Sequence, residues 1–164
     1  MTATSDFDEH SLQVTSCTFV TTNQDPEDQL NFVAGSYDVA SAERSVEIYQ
    51  YLQEKAGVEG VADELGITTL MNAVSRKNTA LVEYLLETKN DVNQADVCNE
   101  TAIFYLVDSK DIIYSDVWRK EIFNLLMLHG ADLTVKNIEG MTVLDYAKQE
   151  GDDLLASLLQ EAMR

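Results

Sequence analysis

The sequence predicts an all-α solenoid of stacked helix pairs, on three observations. A short pattern recurs: GITTLMNAV at 66–74, NETAIFYLV at 99–107 and GMTVLDYAK at 140–148 share a Thr followed two places later by a large aliphatic residue. The copies are regularly spaced, with Leu70, Ile103 and Leu144 separated by 103 − 70 = 33 and 144 − 103 = 41 residues. Each copy is followed by an apolar quartet at i, i+1, i+4 and i+5, which lays a wide apolar stripe along one side of a helix. The quartets are Leu81, Val82, Leu85, Leu86, then Ile122, Phe123, Leu126, Met127, then Leu154, Leu155, Leu158, Leu159.

The elements follow in chain order. Residues 1–26 read as an N-terminal arm, extended or disordered: SLQVTSCTFVTTN is rich in β-branched residues in alternation, and chain ends are poorly ordered unless tied down. Residues 27–62 read as a degenerate capping repeat. Pro26, Glu27 and Asp28 suit a first helical turn, and SVEIYQYLQEKAGVEGVAD puts Ile48, Tyr49 and Leu52 in the apolar slots of an outer helix. Residues 63–95 form an ungapped repeat, 96–136 a second, and 137–164 a shortened C-terminal cap.

The second repeat carries eight surplus residues, because Leu70 to Leu81 and Leu144 to Leu155 are each eleven residues while Ile103 to Ile122 is nineteen. The surplus falls between its two helices, within DSKDIIYSDVWRK. Thr68, Thr101 and Thr142 are placed to cap the first helix of each pair through their hydroxyls, and Thr142 with Asp145 has capping-box spacing. Asp152 and Asp153 fill the first turn of the last helix, where negative charge is stabilising.

Residues 63–95, DELGITTLMNAVSRKNTALVEYLLETKNDVNQA, resemble one complete ankyrin repeat that ends in the family's Asp-Val-Asn at Asp91, Val92 and Asn93. Gly130, Ala131 and Asp132 are similar to the family's Gly-Ala-Asp before its hairpin. The chain departs from the family's Thr-Pro-Leu-His: Thr69, Ala102 and Val143 replace the Pro, and Met71, Phe104 and Asp145 replace the His. Losing the pre-organised Pro at the first helical position predicts lower stability than a consensus array, with the fold unchanged.

The resemblance implies a protein-binding module in which hairpin tips and inner helices line a concave groove. Carried over by position, the tip residues are Glu64, Leu65 and Ile67, then Val97, Cys98 and Glu100, then Ile138, Glu139 and Met141. The inner-helix ends add Ser75 and Arg76, Asp108 and Ser109, Gln149 and Glu150. Leu65, Ile67, Val97, Ile138 and Met141, exposed in a row, would make an apolar strip rimmed by acids, the anatomy of a protein-binding patch; the other reading packs some of them against adjacent hairpins. In the insertion, Tyr114 is a candidate interface anchor. Trp118, four residues before Ile122, fits either an interface or the buried face of a lengthened outer helix.

Charge sharpens the expected partner. The chain has 11 Lys and Arg against 29 Asp and Glu, a net −18. Residues 1–62 hold 2 basic and 11 acidic residues and the rest 9 and 18, so each part carries −9 and the acidity is no mere tail. Such a surface opposes direct binding of nucleic acid or an anionic membrane, which Lys and Arg would have to win. It favours a basic protein and a fast, salt-sensitive encounter, besides keeping the chain soluble.

There is no GxSxG, phosphate-binding Gly loop, HExxH or EF-hand pattern, and neither His10 nor His129 has a partner motif. Cys17 and Cys98 lack CxxC or paired-His spacing, so free thiols are expected, with no metal and no cofactor. No secretory signal or long apolar run is visible, which predicts a cytoplasmic protein without a membrane segment. The resulting expectation is a non-enzymatic adaptor or immunity-type inhibitor, monomeric or in a heteromeric complex. The alternatives are a thiol-dependent enzyme or redox sensor centred on Cys98, and a structural scaffold subunit.

Overall fold

The computed structural model describes residues 39–56, 62–88, 90–107 and 116–164. The expected arm, the Pro26-led start of the capping segment, Cys17, Asp108 and Tyr114 lie outside them. Among the described residues there are six α-helices and no strands: α1 (Val39–Ala56), α2 (Thr69–Ser75), α3 (Thr79–Glu87), α4 (Asp116–Leu128), α5 (Val143–Glu150) and α6 (Asp153–Ala162). One 3-10 turn, Phe104–Leu106, lies between α3 and α4. The described chain is all-α, as the recurring pattern predicts.

Packing follows chain order. α2 packs on α3 and α5 on α6, while α1, α3 and α4 lie side by side and the 3-10 turn continues the row begun by α2. Each unit touches its neighbours, which is how a solenoid spreads its core along the stack. The first quartet, Leu81, Val82, Leu85 and Leu86, is buried throughout. In the second, Ile122, Phe123 and Leu126 are buried and Met127 half-buried; in the third, Leu155 and Leu159 are buried while Leu154 and Leu158 are half-buried. Leu154 and Leu158 are thus the part of the last quartet that solvent still reaches. Fully burying a Leu is worth about 1.5–3 kcal/mol, so these stripes dominate the stack's cohesion.

α1 is tied on by both apolar and polar contacts. Tyr49 is fully buried and meets Tyr84 of α3 edge to face, with ring centroids 6.0 Å apart. Asn78 caps α3 by accepting from Leu81 N at 3.2 Å and donates Nδ2 to Ser45 Oγ of α1 at 2.8 Å, all within the core. That residue was not foreseen as a cap, although Asn directly before an apolar helical run is a start signal.

Two of the three threonine caps form. The Thr68 hydroxyl accepts from Met71 N at 3.2 Å, and the Thr68 N–H donates to the Met71 thioether at 3.3 Å. Thr142 Oγ1 accepts from Asp145 N at 3.3 Å while the Thr142 N–H donates to Asp145 Oδ2 at 3.1 Å, completing the anticipated box. Asp152 caps α6 by accepting from Leu155 N at 3.0 Å, and Asp153 opens its first turn.

Thr101 corrects the expectation. Phe104 N, the donor its hydroxyl would have taken, instead donates to the Thr101 main-chain oxygen at 2.9 Å, and the segment winds as a 3-10 turn rather than an α-helix through 104–106. The Thr101 hydroxyl is left buried with no partner. Trp118 lies in α4, half-buried against the core, with Lys77 Nζ 4.8 Å from its ring centroid. The start of the lengthened outer helix is thus pinned to the end of α2.

Candidate functional site

The polar chain between helix pairs is built on one device used three times. Asp63, Asp96 and Asn137 each turn a side-chain oxygen onto the N–H groups two and four residues ahead. The distances are 2.9 and 2.9 Å to Leu65 and Ile67, 2.8 and 2.8 Å to Cys98 and Glu100, and 3.1 and 3.1 Å to Glu139 and Met141. Asp and Asn do this because their short side chains reach local backbone donors. In each tip the residue three places on donates its N–H back to the Asp or Asn main-chain oxygen, at 2.9, 3.0 and 2.9 Å, and has positive φ. Gly66 and Gly140 fill that place at φ 78°, and Asn99 at 57°, Asn being the residue after Gly that best tolerates it. The missing glycine of NETAIFYLV is therefore a conservative substitution in conformational terms.

The tips are bonded to one another. Val97 N donates to Leu65 O and Ile138 N to Cys98 O, both at 2.9 Å. Asn137 Nδ2 reaches Glu100 Oε1 at 3.1 Å, and Asn99 Nδ2 donates to Lys136 O. Leu65 thus stands beside Val97 and Cys98 beside Ile138, which makes the three tips one ledge.

Leu65, Val97 and Ile138 are 56%, 61% and 70% exposed, the apolar part of the ledge that solvent reaches. Glu64 and Glu139 are exposed beside them, and Cys98 and Glu100 are half-buried. The anticipated five-residue strip is narrower: Ile67 and Met141 are half-buried, and Ile67 packs against the core. Both occupy the fourth place after the turn-forming Asp or Asn, where the chain returns to the helices. Ser75 and Arg76 are exposed at the end of α2, and Gln149 is exposed and Glu150 half-buried at the end of α5.

Two tyrosines back the ledge. Tyr105 in the 3-10 turn donates its hydroxyl to Asp96 Oδ2 at 2.7 Å, and burial together with that bond pushes its pKa well above the usual phenol range. Tyr146 on α5 lies 6.2 Å from Phe104 between ring centroids. Its pKa is raised by burial and by Glu100, Glu150 and Glu139. Burial, then Asp96, Glu100 and Glu139, push the Cys98 thiol up as well. Burial and the neighbouring carboxylates both disfavour the thiolate, which is the nucleophilic form of a cysteine.

His129 is exposed just past α4, its N–H bonded to Leu125 O at 3.1 Å. Among the described residues no group of three or more His, Cys, Asp or Glu could hold a metal ion, and no helix is long and apolar enough to cross a membrane.

Stacked helix pairs joined by bonded tips agree with a match over residues 38–137 to the family model described as ankyrin repeats, in three copies. The chain belongs to the ankyrin repeat family. Ankyrin repeats are protein–protein interaction modules and are generally non-enzymatic. The matched residues take in the first two tips and end at Asn137, the first residue of the third. α5 and α6 lie beyond the match, yet Thr142 and Asp152 cap them in the manner of α2 and α3.

A buried ion pair was also not legible in the sequence motifs. Arg119 of α4 and Asp152 at the head of α6 are both buried and form an ion pair through Arg119 Nη2 and Asp152 Oδ2. The residues are 33 apart in sequence, and nothing local to either announces the other.

Proposed function

We propose that this ankyrin protein is an acidic, non-enzymatic adaptor or inhibitor that docks a basic protein on its tip ledge and concave face. The functional array is taken as the repeats at 63–95 and 96–136 with the cap at 137–164. The observation that carries the reading is the exposure of Leu65, Val97 and Ile138 on adjoining, hydrogen-bonded tips, flanked by Glu64 and Glu139, in a chain of net charge −18. An apolar centre with a charged rim is how protein interfaces are built. Because the tips are already ordered by main-chain bonds, docking loses little conformational entropy, which favours affinity. An inhibitor of this kind would cover a cationic working surface, such as one that holds nucleic acid, and the association would be steered by charge.

The test is affinity capture from a native lysate at low salt by the full chain and by the triple variant Leu65→Ser, Val97→Ser, Ile138→Ser. Support is a basic protein that is retained by the wild type, released as salt rises to physiological strength and missed by the triple variant. Capture that ignores both salt and the variant overturns the reading.

A further inference from the structure

The ledge is not uniform along its length. At the first junction Leu65 meets Val97; at the second, Cys98 meets Ile138 beside Glu100, Glu139, Tyr105 and Tyr146. Asn137 brings Glu100 under the third tip, while Glu139 is exposed on that tip and Glu150 lies one helical turn beyond Tyr146 on α5. The second junction therefore joins an exposed aliphatic edge to aromatic rings and several carboxylates.

We propose that the second junction seats an Arg or Lys side chain from a short segment of the partner in which cationic and aliphatic residues alternate. This rests on the proposed reading of the ledge as a docking surface and names which junction takes the charge.

Charge complementarity selects the occupant. Asp96, Glu100 and Glu139 act on Cys98, and Glu100, Glu150 and Glu139 on Tyr146, so carboxylates outnumber the neighbouring cations Lys136, whose main-chain oxygen accepts from Asn99 Nδ2, and Lys148 on α5. A metal ion is a poor alternative, since no His, Cys, Asp and Glu group among the described residues has ligand geometry. An Arg or Lys suits the mixed surroundings: its aliphatic stem can lie on Val97 and Ile138 while its head meets Glu139 and Glu150. The tyrosine rings add a face on which a guanidinium packs well. At the first junction Leu65 and Val97 offer an aliphatic neighbour residue its own contact.

The probe is a pair of synthetic peptides, acetyl-Leu-Arg-Leu-Arg-amide and acetyl-Leu-Gln-Leu-Gln-amide, titrated into the isotope-labelled full chain and followed by amide NMR shifts. The arginine peptide is expected to move the amides of residues 97–100 and 138–141 in a saturable way, and the glutamine peptide to leave them in place. Glu139→Gln with Glu150→Gln is expected to weaken the arginine peptide about three- to tenfold, the range for losing two partly exposed ion pairs. Glu83→Gln with Glu161→Gln, the same charge change on the outer helices, is expected to alter it less than about twofold, since exposed charges beyond a Debye length are screened. Both double variants are checked for an unchanged far-UV spectrum and melting curve.

Equal response to the two peptides, shifts spread over all acidic surfaces, or equal weakening by the two double variants overturns the proposal. If these occur while basic-protein capture still depends on salt and on the tip residues, only the location is wrong. If capture too is indifferent to salt and tips, the underlying reading falls with it.

Discussion

Restoring proline at the start of α2 should stabilise the chain. Thr69 is the first residue of that helix, 2% exposed, and its hydroxyl is buried without a hydrogen-bond partner. The first intrahelical bond runs from Asn72 N to Thr68 O at 3.1 Å, so the Thr69 N–H is one of the donors a helix start leaves over. Thr68, at φ −83° and ψ 162°, already has the extended conformation that a residue before proline requires. Thr69→Pro would remove an unpaired buried hydroxyl, worth about 1–3 kcal/mol, and restrict the unfolded chain, worth about 0.4–1 kcal/mol. Imperfect ring packing offsets part of this, leaving a net gain of about 1–2 kcal/mol. At roughly 2–4 °C per kcal/mol for a chain of this size, the melting temperature should rise by about 2–8 °C. A thermal melt measures that shift, and urea unfolding followed by far-UV circular dichroism measures the stability gain, with a higher midpoint at unchanged slope expected. Thr69→Val supplies the hydroxyl part alone, and the difference between the variants isolates the ring. A Thr69→Pro variant less stable than Thr69→Val would refute the reasoning, because position 69 would then not be a proline-compatible helix start.

Four further outcomes follow from the same structure. Thr101→Val should raise stability by about 1 kcal/mol by replacing an unpaired buried hydroxyl, while Thr68→Val at the equivalent place should lower it by about 1 kcal/mol by deleting a working cap; parallel urea titrations give the two signs. Gly66→Ala should be more damaging than Gly140→Ala: both sit at φ 78°, worth about 1–2 kcal/mol, but only at Gly66 would a new Cβ meet Asp96 Cα at 3.0 Å. Asp152→Asn keeps an oxygen to cap α6 yet strands buried Arg119, so a loss of about 3–5 kcal/mol is expected, and adding Arg119→Met should recover much of it in the same assay. Asp145 has a depressed pKa, first from the Thr142 hydroxyl bond and then from the Thr142 N–H; its stabilisation is present above the ordinary carboxylate pKa and fades as pH falls through the lower folded value. Melting curves of Asp145→Asn and wild type should therefore differ most near neutral pH and converge in strong acid.

How far the sequence could be read depended on whether a feature is local. The quartets around Leu81, Ile122 and Leu155 were legible because helical period and burial coincide within a few residues. The tips were legible as positions but not as a mechanism: Asp63, Asp96 and Asn137 repeat at intervals of 33 and 41 residues, the same as Leu70, Ile103 and Leu144, so their common bonding role was there to be found. Thr101 misled because a capping hydroxyl and a 3-10 turn compete for one donor, Phe104 N, and the sequence does not say which wins. The Arg119–Asp152 and Asn78–Ser45 contacts could not be read, each joining residues 33 apart through packing alone. For the ledge, exposure divides by place in the turn. Val97 and Ile138 follow the turn-forming residue and face solvent, whereas Ile67 and Met141 come four places after it and are half-buried. The apolar contact surface proposed for the ledge is therefore confined to the first two places of each tip, which keeps Leu65, Val97 and Ile138 and leaves out the half-buried Ile67 and Met141.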